Sequence, residues 1–404
     1  MKYAVLIADG MADEPLAELF GKTPLEAART PRMDELANGG QVGLCRTVPK
    51  GMTSASDVAC LSILGYDPRR YYPGRGSLEA VNIGVSLKED DVAFRCNFIT
   101  VENDRLIDYS AGHISTQEAS LLIECLNKQM GKKGIRFHTG VSYRHLLVVK
   151  RSFSPTAHFE VSVDGPHTFM GESIAPHLPQ GQGAEFLIQL MDKSREILAE
   201  HEVNKVRLDL KENPANRIWL WGPGTQAKLP SFKEKFGVAG SVISAIDLIK
   251  GIGKLVGFEV VDVPGATGYY DTNYEGKASY ALAALERSDF VLVHLEATDE
   301  AGHNGDVREK INAIEKFDRI IVGGIADGLK KTKEKFRILV TPDHATLVSR
   351  RTHVDNPVCF LTYGEGIEAR GVSEFSETAA SASGLLFEEG HHLMDYFILS
   401  KGMR

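Results

Sequence analysis

Three short apolar runs constrain this chain more than any other feature. They are Tyr3–Ala8 (YAVLIA), Phe290–Leu295 (FVLVHL) and Phe336–Val340 (FRILV). Each is rich in strand-forming residues and too short for a buried helix, so each reads as a core strand of a covered sheet. Helical patterns follow at about Ser241–Leu255, Tyr274–Glu286 and Arg308–Lys330. Strand and helix alternating in this way predict an α/β domain with a mainly parallel sheet.

The middle of the chain has a different texture. Between about Asp90 and Val163 there are alternating stretches such as VAFRCNFITV and YRHLLVVK, with one clear helical run, Thr116–Met130. Ser152–Gly183 is rich in Pro, His and Gly and has weak periodicity. This segment predicts an inserted α+β domain. A chain of 404 residues has room for two domains. The expected division is residues 1–85 with 230–404 for a discontinuous main domain, and 86–229 for the insertion.

Charge and cysteine usage exclude several classes. Lys+Arg number 46 and Asp+Glu 54, a net charge of −8, which argues against an extended surface for nucleic acid or anionic membrane. The apolar runs are too short to span a bilayer. Acidic residues follow the first run too early for a signal-peptide cleavage region. Cys45, Cys60, Cys96, Cys125 and Cys359 are scattered and odd in number, with no CxxC pair. A reducing cytoplasm is therefore the expected location.

All three strands run into metal-ligand residues. The first meets Asp9; the second meets Glu296, then Asp299 and His303; the third meets Asp343 and His344. Ligands of open α/β sheets bind outside the carboxyl ends of the strands, so one edge gathers these groups. A single Asp after a strand is usually a helix cap, but three such ends with two histidines point to metal binding. Asp299 and His303 share one face of a helical turn, and His353 follows in a polar loop. Mixed carboxylates and imidazoles suit Mn²⁺ or Zn²⁺ better than Mg²⁺. The inventory serves two ions: Asp9, Asp343, His344 and one more ligand for the first, Asp299, His303 and His353 for the second. Two such ions clamp the attacking and leaving oxygens of a displacement, typically at phosphorus.

The segment KGMTSASDVACL carries Thr53, Ser54 and Ser56 ahead of a helical pattern. A hydroxyl there can act as a nucleophile beside metal ions, and the pattern alone leaves Ser54 and Ser56 equal. Other features carry less. Gly251–Gly257 (GIGKLVG) ends a helical pattern, lacks phosphate-loop spacing and reads as helix-to-strand packing. The loop Gly265–Lys277 is not an EF-hand. KKTKEK is a solvated face, Trp219 and Trp221 are packing residues, and His391-His392 is an exposed polar pair.

Taken in order, IADGMAD, TPLEAARTPRMDELA, SDVACLSILGYDP, DYSAGHIS, YRHLLV, WLWGPG, VPGATGYYDTNYEGKA, HLEATDEAGHNGD, TPDHAT and HVDNPV resemble the archaeal-type cofactor-independent phosphoglycerate mutases and their bacterial relatives, within the alkaline phosphatase superfamily. The resemblance runs from Lys2 to about Tyr363. It implies an alkaline-phosphatase-like core interrupted by a substrate-binding domain, and interconversion of 2- and 3-phosphoglycerate through a phosphoserine, without 2,3-bisphosphoglycerate. It selects Ser56 as nucleophile and gives one manganese to Asp9, Ser56, Asp343 and His344, the second to Asp299, His303 and His353. It also implies substrate contacts at His113, Arg144 and Lys250, with His113 serving as acid or base. Relatives commonly carry Pro-Gly where this chain has Ser54-Ala55; if that turn needs positive φ, Ala55 is strained.

The competing readings are a homoserine kinase-like phosphotransferase, a label the bacterial branch has carried, and a metal-dependent phosphomonoesterase. No phosphate loop or kinase signature supports the first. A substrate-retaining insertion that excludes water counts against the second.

Overall fold

The computed structural model describes residues 1–153 and 159–399. They form two compact units, one of Met1–Tyr72 with Leu229–Arg404 and one of Pro73–Lys228. The second unit begins at Pro73 rather than at residue 86. The reason is helix Arg75–Asn82, whose apolar face packs on strands Asp91–Glu102 and Arg217–Thr225 of that unit.

The first unit is built on an eight-stranded sheet. Its centre is strand Lys2–Ala8, flanked in parallel by Phe290–Leu295 on one side and Phe336–Thr341 on the other. The three runs singled out above are thus immediate neighbours. Gly240–Ile243 and Glu259–Val260 extend the parallel set beyond Phe290–Leu295. On the other side Val358–Gly364 runs antiparallel, followed by Gln41–Cys45 and Leu386–Phe387. The central strands are buried along nearly their whole length, as an apolar run covered on both faces requires.

Two helical expectations are revised. The run beginning at Ser241 is a strand as far as Ile243, and only Asp247–Leu255 is helical. Gly253 in that helix lies against the Val242 side chain, and a Cβ there would collide with it, which is the close helix-to-strand packing expected of GIGKLVG. The long run from Arg308 is helix Val307–Lys316, a π-helical turn Phe317–Val322 and helix Gly323–Thr332 in direct succession. Asp318 in the π turn accepts the Arg32 and Met33 N–H groups, capping helix Pro31–Asn38.

The second unit is an antiparallel sheet of Arg105–Asp108, Asp91–Glu102, Arg144–Lys150 and Ile135–Val141, with Arg217–Thr225 on the free side of Asp91–Glu102. Helices Thr116–Gln129 and Ala184–Ala199 contribute to its own core, in which Phe94, Phe98, Leu122, Leu187 and Trp219 are buried. The five cysteines are unpaired. Among the described residues no helix is long and apolar enough to cross a membrane.

Candidate functional site

The three central strands deliver their following residues side by side at the carboxyl edge. Asp9 leaves the middle strand and is followed by Gly10, whose φ of +61° and closeness to Thr346 and Asp299 exclude a side chain. That turn aims the Gly10 N–H at Asp343 Oδ1, 3.0 Å away. Asp343 Oδ1 also accepts the His344 N–H at 2.8 Å. Its second oxygen, Oδ2, is buried without a hydrogen-bond partner. Buried polar atoms are normally paired, so an orphaned carboxylate oxygen has the character of a cation ligand.

Around it the other donors converge. His344 Nε2 lies 3.4 Å from both Asp343 Oδ2 and Asp9 Oδ1. Asp299 lies in the first turn of helix Ala297–Asn304, where His303 Nε2 is 3.3 Å from Asp299 Oδ2. His353 enters from strand Thr352–Val354, with Nε2 3.3 Å from Asp299 Oδ1 and 2.8 Å from His303 Nε2. Thr346 Oγ1 donates to Asp299. Among the described residues three triads have ligand atoms within 4.8 Å of one another, and two of them, Asp9–Asp343–His344 and Asp299–His344–His353, are made of these donors. His344 stands in both, its ring 3.9 Å from that of His353.

The electrostatics agree with a cation-seeking cluster. Burial, then the neighbouring charges of Asp343 and Asp299, push the Asp9 carboxyl well above its ordinary range. Burial opposes ionisation of Asp299 too, yet hydrogen bonds from His303 and His353 hold it well below that range. Burial lowers the His344 pKa, which favours the neutral imidazole, the form that ligates metal. The carboxylates and imidazoles of these triads are a donor set that fits divalent ions.

Ser56 opens helix Ser56–Ile63, with its Oγ 3.1 Å from His344 Nε2 and 3.4 Å from Asp9 Oδ1. Ser54 is engaged elsewhere: its hydroxyl donates to the Val354 carbonyl at 2.9 Å, and its own carbonyl faces His353 Nδ1 at 3.1 Å. Ala55 has φ −159° and ψ 148°, extended backbone open to any residue. The strain that a positive φ would impose there is absent.

Lys250 pairs with Asp262 at 2.7 Å. His113 and Arg144 belong to the second unit, where both flank Tyr143: the His113 ring is 6.5 Å from that ring and the Arg144 guanidinium 5.9 Å. His113 has φ +50° in a turn fastened by Asp108.

Sequence reading missed one group and misread another. In the second unit, Arg95 and Arg75 hold their guanidinium groups 4.5 and 5.6 Å from the Trp221 ring. Burial, then proximity to cations including Arg75 and Arg144, lowers the Arg95 pKa. Arg95 lies inside an alternating strand, and that interruption was the available signal. In the first unit, Glu296 is no ligand despite its strand-end position. Lys277 Nζ sits 2.5 Å from Glu296 Oε2, and Ser244 Oγ and Ala245 N donate to Oε1.

An α/β sheet edge bearing this donor set and a serine hydroxyl has the chemistry of a divalent-metal centre. The chain belongs to the family of 2,3-bisphosphoglycerate-independent phosphoglycerate mutases, whose family model matches residues 37–204. A relative from Methanothermobacter thermautotrophicus, 2,3-bisphosphoglycerate-independent phosphoglycerate mutase 2, is 50% identical over 397 residues, 98% of this chain and 96% of that one. A probable enzyme of the same description from Geobacter sulfurreducens is 50% identical over 403 residues, covering 98% of this chain and 100% of its own. Among solved structures, a cofactor-independent phosphoglycerate mutase from Thermoplasma acidophilum aligns over 100% of both chains with TM-score 0.66 and 29% identity. A Pyrococcus horikoshii protein aligns over 100% of this chain and 98% of its own, with TM-score 0.80 and 31% identity.

Proposed function

We propose that this protein interconverts 2-phosphoglycerate and 3-phosphoglycerate through phospho-Ser56, at a site holding two divalent ions. The observation that carries the reading is the Ser56 hydroxyl beside Asp9 and His344, at the edge where Asp343 leaves a buried oxygen unpaired. Asp9, Ser56, Asp343 and His344 are assigned to one ion, and Asp299, His303 and His353 to the other. Bound there, Mn²⁺ or a similar ion would neutralise phosphoryl charge and lower the serine hydroxyl pKa.

The chain's own groups do the rest. Ser56 Oγ forms a bond to phosphorus as the glycerate C–O–P linkage breaks at its P–O bond, and the serine proton passes to the departing oxygen. The glycerate then presents its other hydroxyl. That oxygen attacks the phosphoserine, the Oγ–P bond breaks, and the attacking hydroxyl's proton passes to Ser56 Oγ, restoring the serine. No water or oxidant is consumed. In the second unit His113 is assigned as the acid or base for the glycerate hydroxyls. Arg144, with Arg75 and Arg95, supplies guanidinium groups suited to a carboxylate or phosphate. Lys250 is a further anion contact. Its pair with solvent-exposed Asp262 is of a kind worth about 1 kcal/mol or less, so exchange for a substrate anion costs little.

Purified protein with Mn²⁺ and 3-phosphoglycerate, coupled to enolase, tests the reading beside parallel assays for ATP-dependent phosphorylation of homoserine and for phosphate release. Turnover in the first assay alone is expected. Homoserine phosphorylation without mutase turnover would replace the reading with a kinase, and stoichiometric phosphate release with a phosphomonoesterase.

A further inference from the structure

Behind the donor cluster lies a buried polar chain that the proposed chemistry does not use. His294 sits in the strand Phe290–Leu295 with no exposed surface. Its neighbours Val293 and Leu295 belong to the core on the opposite face, as strand alternation requires. An apolar side chain would fill this position without a polar cost. Instead both ring nitrogens face carboxylates, at distances just beyond a full hydrogen bond. Nδ1 is 3.4 Å from Glu296 Oε1 and Nε2 is 3.6 Å from Asp9 Oδ2. Lys277, also without exposed surface, closes the chain, with Nζ 2.5 Å from Glu296 Oε2 and 2.6 Å from the His294 carbonyl.

The two oxygens of Asp9 are thereby divided. Oδ1 faces Ser56 Oγ and His344 Nε2, and Oδ2 faces His294. A carboxylate free to rotate would exchange these roles. A buried ion pair such as Lys277–Glu296 seldom adds net stability, so its presence here asks for another role. Partners behind metal ligands orient them, and their loss typically lowers metal affinity about 10–100-fold.

We propose that His294, held by the Lys277–Glu296 pair, is a positioning residue that turns Asp9 so that Oδ1 faces Ser56 and His344. The inference rests on the two-ion reading above. It makes the ion on Asp9, Ser56, Asp343 and His344 depend on His294, and leaves the ion on Asp299, His303 and His353 independent of it.

Two substitutions separate positioning from bulk. His294→Gln keeps an amide N–H near the Nε2 position, toward Asp9. His294→Asn keeps one only near Nδ1, toward Glu296. Mn²⁺ binding to the metal-free proteins is followed by calorimetry against a competing chelator, with His303→Ala used to assign the two steps. Thermal melting of each metal-free variant checks folding. His294→Asn is expected to weaken the Asp9 ion about 10–100-fold and leave the other within about twofold, with His294→Gln recovering most of the loss. Lys277→Met should reproduce the selective loss, and serves if His294→Asn does not fold. Wild-type protein that binds no ion pair would defeat the two-ion reading itself. Wild type binding two ions, with both steps weakened equally, neither weakened, or Asn and Gln behaving alike, would overturn the positioning role alone. A third equivalent of metal, lost in Cys60→Ser, would also overturn it. Cys60, His294 and Asp343 converge within 4.8 Å, and His294 would then be a ligand itself.

Discussion

Replacing Ser56 by Ala separates chemistry from stability. The hydroxyl contacts Asp9 at 3.4 Å and His344 at 3.1 Å, long for O–H donors. The residue is half-buried at the first position of its helix, where Ala is well tolerated. Loss of two such contacts costs about 1 kcal/mol or less. Loss of the covalent nucleophile costs roughly a thousandfold or more in rate, which is about 4 kcal/mol of barrier. Ser56→Ala should therefore melt near wild type, retain both ions and lose activity in the enolase-coupled assay. Ser54→Ala removes a 2.9 Å bond to the Val354 carbonyl beside the His353 strand, so it should cost about 1 kcal/mol of stability and only a few-fold in rate. Mass spectrometry of enzyme quenched during turnover should place a phosphoryl group on the Ser56 peptide. A label on Ser54 would move the nucleophile. Near-normal mutase rates in Ser56→Ala, with no phosphoenzyme, would end the phosphoserine mechanism.

Exhaustive chelation should abolish turnover and Mn²⁺ should restore it; full activity in metal-verified apoprotein would contradict the two-ion site. His303→Ala and His353→Ala should weaken the same ion, as measured by metal titration, since both imidazoles lie 3.3 Å from Asp299. Lys310 is fully buried, with Nζ 2.7 Å from Asp13 Oδ2 and from the Thr346 carbonyl. Lys310→Met should therefore cost about 3–5 kcal/mol in urea unfolding, and a loss below about 1 kcal/mol would refute that account. Burial pushes Glu377 from an ordinary 4.5 up to about 7. The folded state thus holds a proton that the unfolded chain releases, so this group's stabilisation is complete below about pH 4.5 and is lost as pH rises through about 7. Glu377→Gln should flatten the fall in melting temperature across that window, and an unchanged profile would show that the group does not titrate there.

The strand ends were legible because they obey a local rule. An apolar run ending in an acid is visible at Asp9, Glu296 and Asp343 without knowing what surrounds it. The same rule misread Glu296, because sequence places Lys277 in a different helix and cannot show the ammonium lying against it. His294 and Lys277 went unread for a related reason. His294 lies inside an apolar run and Lys277 in a helical pattern, and no local rule shows the Asp9 carboxylate that faces the one or the Glu296 carboxylate that pairs with the other. The strand at Gly240–Ile243 was taken into a helix because short apolar segments carry either period. The boundary at Pro73 was missed because helix Arg75–Asn82 reveals its allegiance only by what it packs against.

By itself, then, the sequence determined which chemistry the chain can carry: carboxylates, imidazoles and a serine, delivered by strands whose carboxyl ends share an edge. Tertiary structure decided the allocation. Parallel pairing made the three strands neighbours, so donors nearly three hundred residues apart in sequence, such as Ser56 and His344, came within 3.1 Å. Packing took Ser54 out of the site by giving its hydroxyl to Val354, and took Glu296 out by giving it Lys277. Residue type sets what a side chain can bond, but which partner it has is a property of folded space, where burial forces each polar group to a single choice.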